Sequence, residues 1–216
     1  MKHFIIALLI LLNTIPSSSQ VADSAPKLAL MARSGLLFPG ATRWHFAGDV
    51  ASTQTKPEIL GGVGVQYGPV VTVEGVILIP SLELAFGELG TADHQILSGT
   101  AAMTIQRLPV MLWCTLEAES PLSPFVRIGS GVCMTDIQET YTSTFYPSSR
   151  FHRWNFVWGY GTGLRYRFSS AFALSIFVDN WVTDASVTAE NSWGSEIGLT
   201  GPYADTPAGL SLTISF

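Results

Sequence analysis

The stretch Trp154–Phe168, WNFVWGYGTGLRYRF, decides how the rest of the chain is read. Its even positions carry Trp154, Phe156, Trp158, Tyr160, Thr162, Leu164, Tyr166 and Phe168. Its odd positions carry Asn155, Val157, Gly159, Gly161, Gly163, Arg165 and Arg167. Successive side chains of a strand point to opposite faces, so strict alternation predicts a strand between two different environments. One face is large and aromatic, the other is glycine and arginine. A soluble sheet would bury the first and wet the second. Here the small and polar face is read as the enclosed one, and the aromatic face as turned outward.

The same alternation recurs along the chain. In Ile59–Ile79 the odd positions include Val63, Val65, Tyr67, Val71 and Val73, against Gly62, Gly64, Gln66 and Glu74. Near the start Leu28, Leu30, Leu36 and Phe38 oppose Lys27 and Arg33. In FVRIGSGVCM, Val126, Ile128, Val132 and Met134 oppose Arg127 and Cys133, and in AFALSIFVDNWV, Phe172, Leu174, Ile176 and Val178 oppose Phe177, Asp179 and Trp181. The final stretch GLSLTISF sets Leu210, Leu212, Ile214 and Phe216 against Gly209, Ser211, Thr213 and Ser215. A stripe of large apolar side chains on the closing segment needs either a second protein layer or lipid.

Composition favours lipid. Charged residues make up 12% of the 216 and hydrophobic ones 47%, and only three lysines occur, Lys2, Lys27 and Lys56. A lipocalin-like barrel would need charges on its outside, which this chain does not supply. The net charge of −5 without a basic run argues against a nucleic-acid partner, because phosphate binding needs clustered Lys and Arg. The opening MKHFIIALLILLNTIPSSSQ has a positive Lys2, a short apolar core and small residues Ser17 and Ser19. It predicts a signal peptide over residues 1–19 and a barrel domain over residues 20–216.

Eight segments follow the period of two: about residues 28–50, 59–79, 82–91, 97–118, 125–140, 152–168, 171–184 and 205–216. Pro80-Ser81, Ser120–Pro124 and Ser169-Ser170 read as short turns, and the other connections are mostly longer and polar. Short turns at one end, long loops at the other and an even strand count predict an all-β, eight-stranded antiparallel up-and-down transmembrane β-barrel. Both termini then lie at the short-turn, periplasmic end.

SPFVRIGSGV, GYGTGLRYRFSSAFALSIFVDN and the strand ending at Phe216 resemble the small eight-stranded outer-membrane barrels of the OmpA, OmpX and opacity-protein type. The resemblance covers about residues 27–216. It implies the outer membrane of a Gram-negative bacterium, contact with its lipid and lipopolysaccharide, and insertion by periplasmic chaperones and the barrel assembly machinery. It also implies that Leu212, Ile214 and Phe216 act as the assembly signal. The family shares no catalytic residues, so none is carried over. No peptidoglycan-binding domain follows the barrel, unlike in full-length OmpA relatives, which argues against a cell-wall tether.

Several residues carry a sharper reading beside a plain one. Gly159–Gly163 is no phosphate cradle, because no helix follows it; its glycines clear room for bulky neighbours such as Phe177 and Trp181. Arg127, Arg165, Arg167, Glu74, Glu83 and Asp179 share the inner parity, and an eight-stranded barrel is just wide enough for such side chains to fill. They are expected to form a charge network plugging the lumen, or else a gated narrow ion pathway. If the chain turns at Ser123-Pro124, Cys114 and Cys133 lie opposite each other on the inner face, which admits a disulfide; a register slip of two separates them.

His152 beside Ser148 and Ser149 is the best candidate for lipid chemistry at the rim, ahead of His45 and His94, but no acyl-hydrolase motif surrounds it. No cofactor is implied, and no metal-ligand spacing occurs. The long loops, with Phe145, Tyr146, Trp193 and Tyr203 among acids, suit an extracellular ligand. The leading expectation is a non-enzymatic structural or surface-interaction protein. A narrow porin comes second and a lipid A-modifying enzyme third.

Overall fold

The computed structural model describes residues 27–39, 43–46, 49–51, 55–69, 71–91, 94–96, 99–141, 148–183, 187–190, 196–200 and 203–216. The expected signal peptide, residues 1–19, lies outside them, as do Phe145, Tyr146 and Trp193. Eight long strands form the barrel: β1 (Lys27–Pro39), β2 (Glu58–Gly68), β3 (Val76–Thr91), β4 (Gly99–Ala118), β5 (Leu122–Tyr141), β6 (Ser149–Arg167), β7 (Phe172–Thr183) and β8 (Tyr203–Ser215). Each pairs antiparallel with the next in sequence, and β1 pairs with β8, so the sheet closes on itself. No described helix is long and apolar enough to cross a membrane, a test that does not bear on strands.

The alternation seen in the sequence sets the two faces. Leu28, Leu30, Leu36 and Phe38 of β1, Ile128 and Val132 of β5, and Trp154, Phe156, Tyr160 and Tyr166 of β6 are exposed on the outside. Arg33, Arg127, Gly161, Arg165, Phe177, Asp179 and Trp181 are buried inside. The outward apolar band stops at a polar row running across four strands. In this row Glu88 pairs in register with Gln106, Gln106 with Asp136, and Asp136 with His152.

Two expected turns move. The chain turns not at Pro80-Ser81 but at Glu74-Gly75, both with positive φ (48° and 80°), the conformation of a type I′ hairpin. Val71–Val73 pairs back on Val76–Leu78, and β3 runs unbroken through Pro80. The parity switch that suggested a turn has another cause: Ile77 and Ile79 are apolar residues that face the lumen, whereas Leu82 and Leu84 face out. Likewise the next turn lies at residues 119–121, so that Ser123 and Pro124 belong to β5.

At the other end the long connections carry a second, four-stranded sheet. Arg43–Phe46 and Asp49–Ala51 from the first connection join Val187–Glu190 and Glu196–Thr200 from the last. The segment expected as one strand over residues 28–50 therefore falls on three strands, Lys27–Pro39 in the barrel wall and Arg43–Phe46 and Asp49–Ala51 in the loop sheet.

The seam between β1 and β8 runs from Ala29 opposite Ser215 to Pro39 opposite Asp205, and the Phe216 N–H donates to the Leu28 carbonyl at 2.9 Å. Gly35 faces Gly209 across it, and a Cβ at Gly35 would lie 2.1 Å from the Ala208 carbonyl oxygen. That space is backbone and cannot yield. Gly35→Val is expected to cost at least the ~1–3 kcal/mol of ordinary overpacking, read as a lower urea midpoint of the refolded barrel. Leu30→Val, on the outer face of the same strand, is expected to leave the midpoint within error.

Candidate functional site in the lumen

Four odd-numbered strands each send one charge to the centre of the barrel: Arg33 from β1, Glu83 from β3, Arg127 from β5 and Asp179 from β7. The Arg33 guanidinium donates to Glu83 Oε2 and Asp179 Oδ2, each at 2.6 Å. Arg127 donates from Nε to Asp179 Oδ1 and from Nη1 to Glu83 Oε1, each at 2.8 Å, and from Nη2 to Asp179 Oδ2. Ser81 Oγ donates to Glu83 at 3.1 Å. Two cations and two anions thus form a closed, neutral ring.

The same level is filled by rings. Arg33 stands 3.6 Å from the centroid of Phe177, and Arg127 stands 4.3 Å from that of Trp113. Glycines make the room. A Cβ at Gly161 would lie 2.0 Å from Asp179 Oδ1, and one at Gly163 would lie 2.3 Å from the Phe125 ring. The period-two glycines of Trp154–Phe168 therefore do clear space: the atoms nearest to an added Cβ include those of Asp179, Phe125 and Trp113, while Phe177 and Trp181 lie opposite Gly163 and Gly159 in register.

Two further tiers flank the ring. Towards the long connections, Arg107 of β4 pairs with Asp205 of β8 at 2.6 Å and donates to Thr183 Oγ1 at 2.9 Å and Cys133 Sγ at 3.3 Å. Towards the short turns, Glu117 of β4 takes Arg165 at 2.8 Å and also Arg167 of β6. Arg165 donates from Nε to Ser175 Oγ at 3.1 Å, and Arg167 donates to the Ser120 carbonyl and Ser123 Oγ.

The six charges expected to form one network are thus divided. Glu83, Arg127 and Asp179 share the central ring, whereas Arg165 and Arg167 lie in the short-turn tier. Glu74 is in neither. It occupies the Glu74-Gly75 turn, because the hairpin begins there and not at Pro80. Arg33, Arg107, Glu117 and Asp205 were missing from the expected network. Arg33 was visible in the parity of β1. Arg107 and Glu117 were masked because β4 also turns Met103, Ile105, Met111 and Trp113 inward, so that bulk no longer marks the outer face.

The expected disulfide is corrected. Cys114 pairs in register with Ile128, and Cys133 with Pro109; both thiols are free. The turn at residues 119–121 shifts the register by an odd number of positions, so Cys114 falls on the outer face while Cys133 is buried in the lumen. At the rim, His152 and Ser148 are exposed. Asp136 is opposite His152 in register, but its carboxylate is held by Arg150, with Nε 3.0 Å from Oδ2. Among the described residues no cluster of metal-ligating side chains occurs.

No protein-family model matches the chain, and no curated protein matches it by sequence. Solved structures do match in fold. A major outer membrane protein of Thermus thermophilus superposes with a TM-score of 0.58 at 14% identity, covering 89% of this chain and 100% of that one. The outer membrane protease OmpT of Escherichia coli superposes with a TM-score of 0.54 at 5% identity, covering 93% and 99%. At such identities the likeness is one of fold.

Removing one partner of a buried ion pair leaves the other charge uncompensated, at a cost of about 3–5 kcal/mol. Asp179→Asn is expected to lower the unfolding free energy in urea by that order, since Arg33 and Arg127 both lose a carboxylate. Arg150→Gln, at the exposed Asp136 pair, is expected to leave the urea midpoint unmoved. Inverted faces, a closed sheet and a charge-filled interior give this chain the fold of the small outer-membrane β-barrels.

Proposed function

We propose that this chain is an integral outer-membrane protein of a Gram-negative envelope, exported on residues 1–19, whose lumen is closed and whose work is done by its long-connection end. The observation that carries this reading is the central ring. Four charges satisfy one another within 2.8 Å, backed by Phe177 and Trp113, so the charged groups at that level are spent on one another. A narrow porin would need an open polar path. A rigid barrel carrying a four-stranded sheet of loop segments is instead a platform, and loops on a rigid scaffold are where binding concentrates.

The short-turn end then faces the periplasm and the loop sheet faces outward. Lipid and lipopolysaccharide cover the apolar band. Leu212, Ile214 and Phe216 at the seam are offered to the chaperones and the assembly machinery, and a ligand would meet the loop sheet. Catalysis is not part of the proposal, since Arg150 rather than His152 occupies the Asp136 carboxylate. Reconstitution into a planar lipid bilayer tests the reading. The intact chain is expected to give no unitary current steps, while the Arg33→Ala/Arg127→Ala double variant, folded by the same criteria, is expected to give small ones. Steps from the intact chain with ordinary ion selectivity would favour the porin.

A further inference from the structure

Below the central ring, on the short-turn side, the lumen holds a blind cavity of about 160 Å³. It is lined by Gln66, Glu117, Arg165, Arg167 and Thr213, with Ser169 and Ser170 of the last short turn at its mouth. Three features of its wall are unbalanced. Two guanidiniums share the single carboxylate of Glu117, leaving one positive charge in excess among the charged residues that line it. The Thr213 hydroxyl is buried, in a residue only 4% exposed, and has no hydrogen-bond partner. The Gln66 amide, equally buried, spends its Nε2 on a Met31 sulfur at 3.6 Å, a weak acceptor.

We infer that this cavity is a binding site for a small oxyanion, a phosphate or a short carboxylate, entering from the short-turn mouth. The volume is right. It is far above the roughly 10–15 Å³ that one water needs, which leaves room for one such anion with residual hydration. The chemistry also fits. Guanidinium forks take planar oxyanions by charge-assisted hydrogen bonds, and hydroxyl and amide donors complete such a shell. Water alone would satisfy Thr213 and Gln66 but would leave the excess charge in place. Arg165 is fixed by Ser175 and stacked 5.6 Å from the Phe125 centroid, so the site is preformed rather than assembled on binding. The ion-paired central ring lies further along the lumen from the short turns, which favours a pocket over a route.

The test uses the full chain refolded in a neutral detergent and titrated calorimetrically with sodium phosphate, and separately with acetate, at ionic strength held constant with chloride. Saturable one-to-one binding is expected for at least one of the two. Glu117→Gln frees both guanidiniums and is expected to tighten that binding at least about tenfold, the direction opposite to any loss of structure. Thr213→Val, close to isosteric, is expected to weaken it by roughly two- to tenfold, the worth of one hydrogen bond. Repeating the titration with phosphatidylglycerol present separates sources: lost phosphate heat identifies a lipid headgroup as the oxyanion, and unchanged heat identifies a free one. Heats no larger than those of chloride in both the intact chain and Glu117→Gln would overturn the inference.

Discussion

Inside a bilayer no water is available to a backbone N–H or C=O, and each unpaired group costs several kcal/mol. A sheet can meet that constraint only by abolishing its edges, and the rest of this structure follows from how it does so. The pairing of β1 with β8 along eleven registered positions removes the last free edge. The close contact of Gly35 with Gly209 lets the two backbones approach at that seam. Once the sheet is closed, a strand has only an inside and an outside: the outside takes the large apolar stripes, and the inside takes the charges together with buried residues such as Met103, Ile105, Trp113 and Phe177.

Closure also dictates what the lumen must contain. Eight strands enclose a space that side chains fill, not a channel, and here charged and small residues fill it together with a buried cluster that includes Leu37, Leu60, Met103, Ile105, Trp113 and Trp181. Charges confined there must neutralise one another. The three tiers do so unequally: the central ring balances two arginines against two acids, the Arg107–Asp205 tier balances one against one, and the Glu117 tier is short of a carboxylate. Stability and binding potential are thus distributed along one axis, with the balanced tiers closing the barrel and the unbalanced one bordering the blind cavity.

Much of this is written in residue parity. The strands containing Trp154–Phe168 and Phe172–Val182 are legible at sight, because size and hydrophobicity change together from one position to the next. Legibility fails where they separate. Ile77 and Ile79 are apolar yet face the lumen at its mouth, so the parity of β3 misplaces the turn at Pro80, and Pro80, a habitual turn residue, endorses the error. In β4, Met111 and Trp113 pack inside beside Arg107 and Glu117, hiding the ion pairs of the two outer tiers. The cysteine pairing failed for a related reason: which face a residue takes depends on where the hairpin turns, and an odd shift reverses it. The ring itself could not be read from any one strand. Arg33 and Asp179 are 146 positions apart in the chain and meet only after the sheet has closed.

The central claim is that the aromatic face of β6 lies in lipid and its glycine–arginine face inside the barrel. Nitroxide spin labels placed one at a time from Asn155 to Arg165, in a chain with Cys114 and Cys133 replaced by serine and reconstituted in bilayers, test it most directly. Collisions with dissolved oxygen are expected to rise and fall with a period of two, high at Phe156, Trp158, Tyr160, Thr162 and Leu164. Collisions with a water-soluble nickel chelate are expected to stay low at those positions. High chelate collisions at the aromatic positions, or no period of two, would mean that this face meets water and that the barrel is not inverted.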